Sequence, residues 1–264
     1  MSENAQDLSK QGTPAADRQI GQTENYRTTD HKRAHFTRSD PPIPAARNNL
    51  EVRSVLPEIL DRLSPFSTAA QASRRDLGII NGLLGSRAWF ADVLLHQHQA
   101  GEAVIEIGSG TGELGRALSP IAPGLAGLDL VCRPVDWPRG SRWFETDVLR
   151  FTGWKDYPVV VANLFFHHFG QADLASLGAQ LSAHTRVIIA SDPVRSRRSQ
   201  ALFSILCPLI RAHPVTRHDG RVSIAAGFRH EELARLLQLD PAVWRWRVKA
   251  SWLGAARFVA VKRR

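Results

Sequence analysis

The chain predicts an α/β fold: a mostly parallel seven-stranded sheet that closes in a C-terminal antiparallel hairpin and is flanked by helices. Three observations lead there. Residues 103–115 read Ala-Val-Ile-Glu-Ile-Gly-Ser-Gly-Thr-Gly-Glu-Leu-Gly, an apolar strand breaking into a glycine turn that opens a helix. Strand and helix patterns then alternate as far as residue 239, the signature of strands joined by helical crossovers. Residues 244–252 and 257–262 alternate in the strand manner around a turn at Gly254. Two strands joined by so short a turn must run antiparallel, because parallel neighbours need a long crossover.

Taken in order, residues 1–47 are polar and turn-prone, with Pro41-Pro42-Ile43-Pro44 near their end, and are expected to be a disordered arm. Residues 48–100 carry three apolar patterns, 50–63, 73–84 and 87–98, expected to be short helices forming a cap ahead of the main domain. That domain spans residues 101–264. Its strands are expected at 103–107, 125–131, 143–145, 159–163 and 186–190, the fourth being the all-apolar Val-Val-Val-Ala run typical of a central parallel strand. Helices are expected to begin near Gly112 and to cover 172–183, 199–210 and 230–239.

The whole chain has 264 residues, 43% of them hydrophobic, enough for one sizeable core. No apolar run approaches the roughly 20 residues of a membrane span, and the start lacks a basic and an apolar region of the secretory kind. The two cysteines, Cys132 and Cys207, have neither metal spacing nor a disulfide pattern, which fits a reducing cytoplasm. The net charge of +9 raises nucleic acid as a partner. The arginines are scattered, however, with no basic stripe interleaved with aromatics, so a solvated basic surface explains them. No pattern sets an oligomeric state.

Gly110, Gly112 and Gly115 satisfy G-x-G-x-x-G, so a dinucleotide pyrophosphate is the first ligand to weigh. Glu106, at the end of the strand, speaks against it. A carboxylate repels a pyrophosphate, whereas it attracts a ligand carrying an ammonium and a sulfonium. S-adenosylmethionine (SAM) is such a ligand.

Four ordered segments now carry a resemblance: Glu-Ile-Gly-Ser-Gly-Thr-Gly (106–112), Gly-Leu-Asp-Leu (127–130), Glu-Thr-Asp-Val (145–148) and Asn-Leu-Phe-Phe-His-His-Phe (163–169). From about residue 103 onward the chain resembles class I SAM-dependent methyltransferases, with their Rossmann-like sheet, in the small-molecule branch that includes quinone and natural-product enzymes. The resemblance implies SAM as cofactor. It implies that Gly108, Gly110 and Gly112 floor the methionine part, with Glu106 near its amino group. Asp129 would accept from both ribose hydroxyls, Asp147 from the adenine amino group, and Val148 would offer its backbone amide to the ring. Asn163 would line the methyl-donor side. Taken singly, Asp129 equally suits a nicotinamide enzyme and Asp147 a helix N-cap.

His167 and His168 are the tempting catalytic residues, with His168 carried as a candidate. For at least one of the pair, packing or solvation explains the residue without function. As sequence neighbours they would share a metal only with a third ligand close by, so no metal site is expected. His218, followed by Asp219 in what is read as a loop, is the second candidate: a carboxylate could orient its imidazole as a general base. An exposed polar turn explains it as well. The 199–210 helix would help roof an apolar acceptor pocket. The expected reaction is methyl transfer to oxygen or carbon of an aromatic or lipid-like small molecule. The alternative, methylation of RNA or protein, rests on the basic charge, and the absence of prolines after Asn163 counts against base amino-methylation.

Overall fold

The computed structural model describes residues 50–263. The arm expected over 1–47 lies outside them. Seven strands form one sheet: β1 (Val104–Ile107), β2 (Ala126–Asp129), β3 (Trp143–Glu145), β4 (Val159–Asn163), β5 (Val187–Pro193), β6 (Trp244–Ala250) and β7 (Ala255–Lys262). The strand order is β3-β2-β1-β4-β5-β7-β6. The first five strands pair in parallel, and β7 runs antiparallel to both β5 and β6. The order reverses between β1 and β4, which opens a crevice at the C-terminal strand ends, where α/β sheets of this kind bind ligands.

The apolar run of β4 is divided by the strand's period of two. Val160 and Ala162 face a core built with Leu174, Leu177 and Leu181 of α4 (Gln171–His184) and with Phe258 of β7. Val159 and Val161 face the other, against Phe90 and Leu94 of α2 (Ser86–Gln97) and Leu114 and Leu118 of α3 (Glu113–Leu118). Both faces are covered, which is why the central strands read as continuous apolar runs. The remaining helices are α1 (Thr68–Leu83), α5 (Arg197–Leu209), α6 (Pro214–Ala226) and α7 (Glu232–Leu236). Among the described residues no helix is long and apolar enough to cross a membrane.

Five local expectations change. Residues 50–63 are not a helix but an extended strap with a single 3-10 turn, Leu60–Arg62. Pro57 offers no N–H and biases Leu56 away from helical angles, and the strap's polar groups find distant partners instead. The Ser54 amide donates to the Ala225 carbonyl. Arg53 donates to the carbonyls of Ala226, Phe169 and His167 at 2.6, 2.9 and 3.0 Å. The segment holding His218 and Asp219 is helical, not a loop: α6 starts with Pro214 at its first turn and the His213 imidazole capping the Val215 amide. The 230–239 helix shrinks to α7, bracketed by His230 and Gln238 at φ 43° and 53°. Strand β5 runs on to Pro193 because β7 pairs with it as far as Ala255. On α5, Ile205 and Leu209 turn out to solvent, so these two do not roof a pocket.

Candidate active site at the C-terminal ends of the strands

After Ile107 the chain turns through Gly108, Gly110 and Gly112 at φ 68°, 51° and 74°, backbone that side chains rarely adopt. The turn is tied to β2. The Gly108 amide donates to the Leu128 carbonyl at 2.9 Å. The Ser109 hydroxyl donates to the Glu106 carbonyl at 2.8 Å and accepts from the Leu128 amide at 3.2 Å. At the end of β2, Asp129 accepts from the Gly110 amide at 2.7 Å with one oxygen and from the Val131 amide at 3.1 Å with the other. A carboxylate has about four acceptor positions, so the side chain retains capacity for a diol while it steadies the loop.

Glu106 lies buried under the turn against α3; a Cβ added to Gly115 would come within 2.7 Å of its Oε2. That oxygen has no hydrogen-bond partner. Burial, with the charge of Asp129 adding to it, pushes the carboxyl up to about 8. A buried carboxylate with an open oxygen is one that a nearby cation would ionise. Asp147 caps the 3-10 turn Val148–Arg150, accepting from the Leu149 amide at 2.9 Å, and the Val148 side chain is in the core.

Asn163 ends β4. Its amide nitrogen donates to Asn81 of α1 at 3.4 Å, and its buried carbonyl oxygen has no partner. Leu164 follows at φ 53°, a costly conformation for a residue with a Cβ. It swings Phe165 onto the turn, so that a Cβ at Gly108 would lie 2.1 Å from the Phe165 ring. Gly108 is therefore needed for close approach as well as for φ.

Beyond Phe165 the two histidines part company. His167 is buried, with Nδ1 2.8 Å from Asp192 of β5 and Nε2 3.4 Å from Glu58 of the strap. Burial opposes charge on this imidazole, but the hydrogen bonds to Asp192 and Glu58 outweigh it and hold His167 up at about 9. His168 is about one-third exposed, stacks on His167 with ring centres 4.1 Å apart, and lies 3.7 Å from Asp61 of the strap. Burial and the charge of His167 lower it to about 4. More than half of the Asp61 side chain is exposed, which tempers its loss of hydration. That loss and the like charges of Glu58 and Asp219 still push its carboxyl up, and the charge of Asp129 reaches it too, linking this cluster to the strand-end crevice.

On α6, His218 Nδ1 is 2.9 Å from Asp219, and its Nε2 is buried without a partner. Asp219 in turn accepts from the strap amides of Ile59 and Leu60, both at 2.9 Å. The carboxylate–imidazole pair expected from the sequence is thus formed, and it is locked to the strap. Glu58 and Asp61 escaped the sequence reading. Their only signal is two carboxylates three apart beside Pro57, and their partners lie more than a hundred residues away. Phe165 and Asn81 likewise meet partners that no local pattern announces, Gly108 and Asn163.

No family model matches the sequence, and no curated protein matches it. Solved structures do match in fold. The plantazolicin methyltransferase BpumL in complex with SAH is 14% identical, covering 74% of this chain and 89% of its own, with a TM-score of 0.57. The plantazolicin methyltransferase BamL, in complex with a triazolic desmethylPZN analog and SAH, is 11% identical over 73% of this chain and 88% of its own, with a TM-score of 0.55. A putative O-methyltransferase from Nostoc punctiforme is 14% identical over 72% of this chain and 60% of its own, with a TM-score of 0.50. The chain has the fold of SAM-dependent methyltransferases.

Proposed function

We propose that the chain is a SAM-dependent methyltransferase acting on oxygen or carbon of a small-molecule acceptor. The observation that carries the donor assignment is the left-handed glycine turn after β1 with the Asp129 carboxylate hydrogen-bonded across it. The bare turn admits a ligand to the backbone, and the carboxylate suits vicinal hydroxyls. Glu106 beneath the turn supplies a negative centre for a ligand that is cationic rather than anionic. Asn163 presents an unpartnered carbonyl oxygen at the end of β4, next to the strand-order reversal.

SAM supplies an activated methyl on a sulfonium, so the protein's part is alignment, exclusion of water and, for a hydroxyl acceptor, removal of a proton. The His218–Asp219 pair fits the last task. Asp219 accepts from Nδ1–H and so leaves the lone pair on Nε2, the atom without a partner. The strap closes over this pair and over His168, so acceptor binding and strap position are coupled.

The acceptor class is tested by incubating the protein with labelled SAM and a metabolite extract that also contains RNA and protein. Label is expected in a low-mass product and absent with Asp129→Ala. Label confined to RNA or protein would replace the small-molecule assignment by the macromolecular one.

A further inference from the structure

We propose that Glu58, His167 and His168 form a binding site for one divalent transition-metal ion beside the SAM crevice. Each residue offers one ligand atom, and these atoms all lie within 4.8 Å of one another. The His167 Nε2 to Glu58 oxygen separation is 3.4 Å. Ligands about 2.0–2.2 Å from a tetrahedral metal are separated by roughly 3.3–3.6 Å, so this edge already has the required length; His168, stacked on His167, must turn its ring to aim a nitrogen at the same ion.

The surroundings are those of a ligand set. Asp192 holds His167 Nδ1 at 2.8 Å, which fixes the ring and directs Nε2 at Glu58, the carboxylate–histidine arrangement that supports bound metals. The Ser223 hydroxyl donates to the same Glu58 oxygen and orients it. Asp61 stands 3.7 Å from His168, close enough to serve as an additional oxygen donor. A salt bridge alone does not account for the cluster. One buried imidazole faces two carboxylates while a second imidazole is stacked on it at 4.1 Å, and stacked rings cannot both carry charge cheaply.

Two imidazoles and a carboxylate suit zinc, cobalt, manganese or ferrous iron rather than calcium or magnesium. Three protein donors leave coordination positions for water or for an oxygen of the acceptor. The ion would also pin the strap, which contributes Glu58, to the turn after β4, which contributes both histidines.

The test uses the full chain without an affinity tag, stripped by chelator, then titrated with Zn2+ by calorimetry and with Co2+ by visible absorption. One equivalent is expected to bind, with ligand-field bands for Co2+. Glu58→Gln and His168→Gln are each expected to weaken binding by about 100-fold or more, and Asp192→Asn by about 10- to 100-fold. His96→Gln, an exposed histidine beside Asp92 on α2, is expected to change nothing. His168 is partly exposed and Glu58 sits on the strap, so these two variants test the site even if Asp192→Asn fails to fold. Absence of stoichiometric binding by the wild type overturns the proposal, as does wild-type affinity in both Glu58→Gln and His168→Gln. The readout is metal binding, so either result leaves the donor assignment standing or falling on its own measurement.

Discussion

At the scale of single residues, Glu106 carries a consequence that pH makes visible. Its folded carboxyl titrates at about 8, well above its ordinary value of 4.5, because it is buried. Between those values the unfolded chain has released the proton that the folded chain keeps. Stability conferred by the neutral buried form is therefore complete at acid pH and declines as pH rises toward 8. Glu106→Gln keeps the size and stays neutral. Thermal melting should show the variant close to wild type near pH 4 and more stable by a few kcal/mol near pH 8. Equal pH profiles for the two proteins would show that Glu106 is ionised in the free protein. Residues at this scale were unevenly legible. Gly108, Gly110, Gly112 and Asp129 declare their places because local backbone, strand end and turn fix them. Asp147 could be read as a cap from its place before a turn, and it is one. Glu58 and Asp61 were invisible because nothing local says that the strap crosses the strand ends.

At the scale of elements, the strap over residues 50–63 decides how closed the candidate site is. Its anchors are specific and include Arg53 on carbonyls after β4 and at the end of α6, the Ser54 amide on Ala225, two amides on Asp219, and Glu58 near His167. Removing Arg53 leaves carbonyls at the 166–169 turn without their donor. Arg53→Ala should cost about 1.5–3 kcal/mol and should speed amide exchange and proteolytic cleavage selectively within 50–63. Uniform loss of protection across the sheet would instead make Arg53 a residue of the global core. The strap's apolar spacing is close to helical, but its hydrogen bonds run to α6 and the post-β4 turn, which holds it out of a helix. The structure places β3 and β4 at the bounds that the sequence pattern predicts. For β4 an uninterrupted apolar run lies between Pro158 and the polar Asn163, and both limits are local. Helix α6 had a readable start in His213-Pro214, since proline suits the first turn of a helix. Its polar Thr-Arg-His-Asp stretch hid the buried face made by Val215, Val222 and Ile224.

At the scale of the molecule, alternating strands and helices with a closing hairpin gave the sheet its order, and the reversal between β1 and β4 puts the glycine turn, Asp129 and Asn163 along one edge. Against this edge the chain lays elements from before and from within the main domain: the strap and α1 from before β1, and α6 from between β5 and β6. The proposed donor side is therefore built from contiguous motifs, while the proposed acceptor side is assembled from residues far apart in sequence. That difference explains why the sequence supports a proposal for the donor and none for the identity of the acceptor. The central claim is the donor, and calorimetry on the wild-type chain with S-adenosylhomocysteine and NAD in parallel tests it most directly. Saturable one-to-one binding of S-adenosylhomocysteine, with none of NAD, is the predicted result. Binding of NAD without S-adenosylhomocysteine would contradict the account.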